Sequence, residues 1–513
     1  MEILALVVIF SWLGLTALIG ALTTRRRLKG LGKAESWFVA GRSIGLVVLW
    51  LSVGANIYSA YTFLGLPGYA ARMGVRVWAI TLYGMISFII GFIVVPRLWS
   101  SAKNRGWLTI ADAFEDLYSS KALGAFVAVT GALWSIPYVQ LQIQGIGYII
   151  EVAGYGLIDP IVAKTLAFIL VAVFTVVGGL VSVIFINALQ GAIMLIAIWG
   201  IGLLVPIIAF GGFDGLFNTI SSYAANPPEG AKFSLYFRPQ DYVWASTLLV
   251  TAPLAFWLWP NRIQNIFGGK DVDTVKKNIV MVGIYQISQI AAIMVGLTAV
   301  GLYVKGLLDV PIYEKRYADM SFMLVVRTIF RDHPWLVGLV GAGALAASIS
   351  TAAAILHVCG ALFSRNAYQR IFKPDASDRE LVFSARMFTG LIAIVSFILA
   401  ILAPEVLISL LLVGYAGIVQ FFPPLILKML KPRSIGHRTA LASMSLGMIS
   451  VALVKLADAI REVLLHTPFE PIGNFLYIIK SLGFYEGFYG LLINIIVIII
   501  GYIFCSLRRH SRH

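Results

Sequence analysis

Stretches of about 20 apolar residues, each long enough to cross a bilayer, recur along almost the whole of this chain of 513 residues. They fall at roughly 2 to 22, 44 to 71, 74 to 97, 124 to 152, 160 to 180, 184 to 210, 243 to 268, 278 to 304, 336 to 364, 382 to 403, 406 to 427, 438 to 460 and 487 to 506. A water-soluble core has no room for so many, so the expected fold is an all-α polytopic membrane protein with about thirteen transmembrane helices. Composition agrees: 59% of residues are hydrophobic and 12% charged, against roughly 25% charged in soluble domains.

A net charge of +15 in such a chain is a question of sidedness rather than a sign of nucleic-acid binding. The first apolar segment is followed, not preceded, by Arg25, Arg26 and Arg27, so it reads as a retained helix with its N-terminus outside. About 25 of the 39 Lys and Arg residues then lie in the segments on the opposite side, including TTRRRLKGLGK and the tail SLRRHSRH. That predicts a plasma-membrane protein with a cytoplasmic C-terminus. Cys359 and Cys505 are solitary in apolar runs, which argues against a disulfide framework or a metal site. No gap between helices reaches the roughly 50 residues of a small domain, so no appended catalytic domain is expected.

All 24 Asp and Glu residues sit in loops or near helix ends, with Glu151, Glu405 and Asp458 nearest the apolar interior. Proton-coupled carriers place an acidic relay at membrane depth. Its absence favours an ion held by carbonyls and hydroxyls. Two spans supply the means. GANIYSAYTFLGLPG (54 to 68) and TLLVTAPLAFWLWPNRIQNIFGG (247 to 269) carry Gly, Pro and polar residues that break a helix. Backbone freed in this way is tolerated in a membrane only where it lines a cavity or coordinates something. The third element, GALAASISTAAAILHVCG (343 to 360), offers the adjacent hydroxyls of Ser350 and Thr351. These either join freed carbonyls in an oxygen cage for a hard cation or bond back to their own helix.

AGRSIGLVVLWLSVGANIYSAYTFLGLPG, GGLVSVIFINALQG, LAASISTAAAILHVCGALFSRNAYQRIF and GYAGIVQFFPP together resemble the sodium:solute symporter family. The resemblance implies an inverted five-helix repeat of the leucine-transporter type with extra helices. Residues 1 to 22 would form an added helix, 44 to 210 and 243 to 427 the two inverted repeats, and 438 to 506 two C-terminal helices. It also implies Na+ as the coupling ion, with no other cofactor, held by the carbonyls of Ala55, Tyr58 and Ala347 and the hydroxyls of Ser350 and Thr351. Two positions depart from the family pattern. Ile57 stands where some proline carriers have an aspartate, and Asn187 where an aspartate is frequent.

IYSAYTFLGLPGYAARMG, VVPRLWSSAKNRGWLTIADAF, VTGALWSIPYVQLQIQGIG and LWPNRIQNIFGGKDVDTVKKN look like the monocarboxylate permeases of that family. Pyruvate, lactate, acetate or an amino acid is the implied solute. Candidate solute contacts are Ser59, Thr62, Tyr138, Gln142, Asn261, Gln264, Tyr415 and Gln420, each alternatively an ordinary interhelical hydrogen bond. Tyr61, Trp257, Trp259 and His357 are candidate gate or pathway residues. Arg262, near a helix end, is expected to snorkel to the interface. The leading function is sodium-coupled import of a small organic solute across the lipid bilayer by alternating access. Proton-coupled or uncoupled transport, proline or sugar symport and a solute-sensing receptor are the alternatives. No nucleophile, base and acid constellation suggests an enzyme.

Overall fold

The computed structural model describes residues 3–27, 42–177 and 180–510. Among them the chain is helical, and the one β-type pairing is the parallel bridge of Ile44 with Gly269. Among the described residues eight helices are long and apolar enough to cross a membrane, and two bent pairs raise the number to ten. Shorter apolar helices at Ile3–Leu15, Leu46–Ile57 and Pro160–Ala172 fill the remaining windows. The segments 211 to 242 and 305 to 335 form the short helices Phe213–Ala225, Lys315–Asp319 and Ser321–Ile329 over the ends of the bundle. The side chains of Arg25, Arg26, Arg27 and Asn187, and the last three residues, lie outside the described residues.

Both expected breaks are present, and proline accounts for the second and for the widened turn that follows the first. Leu46–Ile57 ends where Tyr58 turns to extended backbone (φ −79°, ψ 109°). The chain resumes as the π-helical turn Tyr61–Gly65 and then Leu66–Met73. Pro67 lacks the amide that would bond the carbonyl four residues back, and its ring crowds that carbonyl, so the preceding turn widens. In the second span, Pro239–Ala255 runs through a 3-10 turn at Phe256–Leu258 to Trp259 (φ −55°, ψ 128°). A residue before proline is pushed out of the helical region. Pro260–Phe267 therefore restarts at 49° to the first half.

The Leu46–Ile57 half-helix lies against Pro260–Phe267, Val272–Ile287, Leu180–Phe210 and Pro334–Leu362. The two broken helices are tied at one end by Ile44 N donating to Gly268 O and Lys270 N to Ile44 O, each at 3.1 Å. Ile3–Arg27 packs on Pro334–Leu362, and His437–Lys455 pairs with Glu486–His510 at the periphery. Pro334–Leu362 is the most deeply enclosed span, 94% of its apolar window being buried. Its run of Gly, Ala and Ser lets neighbouring backbones approach closely: a Cβ on Gly338 would stand 2.6 Å from Ala5 O.

Candidate functional site

The break at Tyr58 frees carbonyls beside the enclosed helix. Thr351 Oγ1 lies 3.4 Å from Ala55 O and 3.4 Å from Tyr58 O. Both separations exceed the length of about 2.7–2.8 Å typical of a hydroxyl hydrogen bond. They match the spacing of oxygens around a cation: at ion–oxygen distances of about 2.4 Å, within the range for a hard ion of calcium's size, ligands at right angles are about 3.4 Å apart. Ser350 donates its hydroxyl to Ala347 O at 3.0 Å. That bond uses the proton and leaves the oxygen lone pairs available. Ala55, Tyr58, Ala347 and Thr351 are fully buried, and Ser350 is 5% exposed.

Beside this cluster the expected solute contacts form a second group. Ser59 Oγ is 3.3 Å from Tyr138 Oη, and Gln142 Oε1 accepts the Ala60 amide freed by the break at 3.0 Å. Tyr138 meets Trp259 edge-on at 5.0 Å, and Trp259 meets Tyr415 at 5.4 Å. Tyr61 is buried, its amide donating to Ser59 Oγ. Asn261 Nδ2 reaches Asn56 Oδ1 at 3.4 Å across the two broken helices, and Gln264 is buried one turn further on. Ser59, Tyr138, Gln142, Trp259 and Tyr415 thus stand on four spans that converge at the breaks.

Other expected residues are placed elsewhere. Thr62 donates back to Ile57 O at 3.2 Å. Gln420 points to the C-terminal helices: its Nε2 bonds Ala416 O, and its Oε1 accepts from Asn494 Nδ2 at 3.1 Å. Trp257 donates to Ser87 O at 2.8 Å and packs over Gly91, which ties the second broken span to Val77–Arg105. His357 is half-buried two turns beyond Ser350.

Arg262 does not snorkel. It is 2% exposed, and its Nη1 donates to Tyr415 Oη at 2.7 Å and to Phe256 O at 3.0 Å. The guanidinium carbon lies 4.3 Å from the Phe256 ring centre. Aromatic faces and a carbonyl left over from the break hold it inside the bundle. No feature of the local sequence indicates this, because Tyr415 belongs to a different span.

The carboxylates also need correcting. Glu151, Glu405 and Asp458 pair with Arg316, Lys315 and Lys480 near the bundle ends. The buried acids among the described residues are Asp112, Asp241 and Asp319. Asp112 and Asp241 cap helix N-termini. Asp319, 1% exposed, lies outside the spans in the Lys315–Asp319 helix and accepts the Leu407 amide at 2.9 Å. Its Oδ1 has no hydrogen-bond partner, and burial pushes its carboxyl well above the usual range. None of these acids lies at the breaks.

Similar proteins share this arrangement of spans. The sequence pattern of the Sodium:solute symporter family matches residues 37–447. The uncharacterised symporter YhjB of Bacillus subtilis is 27% identical over 454 residues, which cover 88% of this chain and 89% of that protein. A monocarboxylate transport permease protein of Rhizobium johnstonii is 26% identical, covering 82% and 83% of the two chains. A sodium/proline symporter of Staphylococcus aureus is 27% identical, covering 82% and 80%. Among solved structures, the substrate-bound outward-open state of a Na+-coupled sialic acid symporter superposes with a TM-score of 0.73 over 98% of each chain, at 18% identity. At that identity the likeness is one of fold.

Proposed function

The chain belongs to the sodium:solute symporter family, and on that premise we propose that it imports a small monocarboxylate such as pyruvate, lactate or acetate, or an amino acid, driven by a sodium gradient. The observation that carries the sodium part is the position of Thr351 Oγ1, 3.4 Å from both carbonyls freed at the break. A cation there binds the first broken helix to the Pro334–Leu362 helix with Ala55, Tyr58, Ala347, Ser350 and Thr351 as its oxygens. Ser59 and Ala60 follow immediately on the same backbone, so an ion that fixes Ala55 and Tyr58 also fixes the groups facing Tyr138 and Gln142. Coupling then arises because each ligand stabilises the conformation the other needs. The solute class is supported by the likeness to the monocarboxylate permease and by the absence, among the described residues, of any acid at the breaks.

In this reading the N-terminus is outside and the two broken helices run in opposite directions as members of inverted repeats. Solute and ion enter near the breaks from one side and leave toward the other. The test is uptake into proteoliposomes of labelled pyruvate, lactate, acetate and proline under separate sodium and proton gradients. Sodium-driven uptake is expected, with Thr351→Ala raising the sodium requirement at least about tenfold, the scale of a lost ligand to a charge. Uptake driven by protons alone, or indifferent to both Thr351→Ala and Ser350→Ala, would overturn the sodium reading.

A further inference from the structure

We infer that Arg262 is the anion-recognising residue of the solute site, taking the carboxylate of a small organic acid on the free edge of its guanidinium. This rests on the reading of the group around Ser59, Tyr138 and Tyr415 as the solute site, and it names the residue that selects for charge there.

Three observations converge. Both hydrogen bonds of the guanidinium among the described residues leave from Nη1, to Tyr415 Oη and Phe256 O. Nε is buried without a partner. The edge formed by Nε and Nη2 is the planar fork that binds a carboxylate with two parallel hydrogen bonds. Next, among the described residues no carboxylate pairs with Arg262, whose guanidinium instead faces the rings of Phe256, Trp259 and Tyr415. These groups attract a cation but do not cancel its charge, and a buried charge without a counter-ion is strongly unfavourable. Finally, Arg262 is the third residue of Pro260–Phe267. A helix start already carries partial positive charge, so a cation is unfavourable there unless an anion joins it.

The competing role is a staple across the break at Trp259, for which the bond from Nη1 to Phe256 O would suffice. The position of the guanidinium argues for more than that. Through Tyr415 and Trp259 it continues the chain of contacts leading to Tyr138 and Ser59. A staple needs only the bonded nitrogen, whereas recognition of a carboxylate needs the open edge and the charge.

The experiment uses the purified full-length chain, with binding read by tryptophan fluorescence in sodium and in choline. The probes are acetate, lactate and pyruvate, each paired with its neutral amide. Wild type is expected to bind at least one acid in preference to its amide. Arg262→Gln should lose that preference with a roughly 10- to 100-fold weaker acid affinity, while its sodium affinity and melting temperature stay near wild type. Arg262→Lys, which keeps the charge but not the fork, should recover part of the preference. The inference is overturned if no acid is preferred by wild type, if Arg262→Gln keeps the preference, or if Arg262→Lys behaves as Arg262→Gln with both losing melting temperature, the mark of a staple. Sodium dependence is read separately through Thr351→Ala. With sodium dependence intact, an acid preference kept by Arg262→Gln counts against Arg262 alone, whereas a wild type that prefers no acid also counts against the monocarboxylate reading.

Discussion

Gly54 lies so close to Tyr285 that a Cβ on it would stand 2.2 Å from the ring. One turn further along, Tyr58 sends its hydroxyl to the Tyr285 carbonyl at 2.9 Å. The residues flanking Ala55 are thus seated on the same tyrosine, which is itself fully buried. Gly54→Ala forces the ring or the half-helix to move, an overpacking that costs about 1–3 kcal/mol. A lower melting temperature is expected together with weaker sodium affinity, since Ala55 O moves with the helix. Unchanged sodium affinity in a destabilised variant would detach the tyrosine seat from the ion site.

Thr351 separates shape from chemistry. Thr351→Val keeps the volume and removes the oxygen, while Thr351→Ser keeps the oxygen and removes a methyl. A cation ligand predicts that Ser holds the sodium requirement within a few-fold and Val raises it by about tenfold or more. A residue that only packs against Leu46–Ile57 predicts the reverse order. Sodium titration of uptake in both variants distinguishes the two.

Much of this was legible in the sequence, because proline and hydropathy act locally. Pro260 breaks its helix, and Pro67 widens the turn after the first break, through a missing amide and a ring clash that need no knowledge of the rest of the chain. The pairing of Thr351 with Ala55 and Tyr58 joins positions that lie 296 and 293 residues apart in sequence, and only the family resemblance points to it. The short distance from Arg262 to a helix end is a one-dimensional fact and does not fix where its side chain goes. Its direction is set by Tyr415 and Phe256 in three dimensions. Asp319 was invisible for a related reason: it is buried only once its loop helix packs between Gly68 and Leu407.

Asp319 gives a pH dependence of stability. Burial raises its carboxyl above the unfolded value, with the Leu407 amide and Arg72 acting in the opposite, weaker sense. A carboxyl raised in the folded state favours folding below the ordinary value of about 3.9. That contribution is lost as pH rises through the folded value. Asp319→Asn keeps an oxygen for the Leu407 amide and cannot ionise. Its melting temperature relative to wild type should therefore climb as pH rises from about 5 to about 9. Parallel curves would mean that the carboxyl does not titrate in that window.

Gln420 tests the division between solute site and scaffold. A Cβ on Gly447 would stand 2.3 Å from its Oε1, and one on Gly490 would stand 2.6 Å from its Nε2. The amide is thus clasped by the two C-terminal helices, with Asn494 Nδ2 bonded to both its backbone and its side-chain oxygen. Hydrogen bonds between membrane helices contribute about 0.6–2 kcal/mol, and Gln420→Leu removes the acceptor while leaving Asn494 one bond. The expected outcome is a lower melting temperature with the apparent KM for solute and the sodium requirement near wild type. Tyr138→Phe should behave oppositely, holding its melting temperature and raising the KM. A raised KM in Gln420→Leu at normal stability would return this residue to the solute path and redraw the boundary of the site.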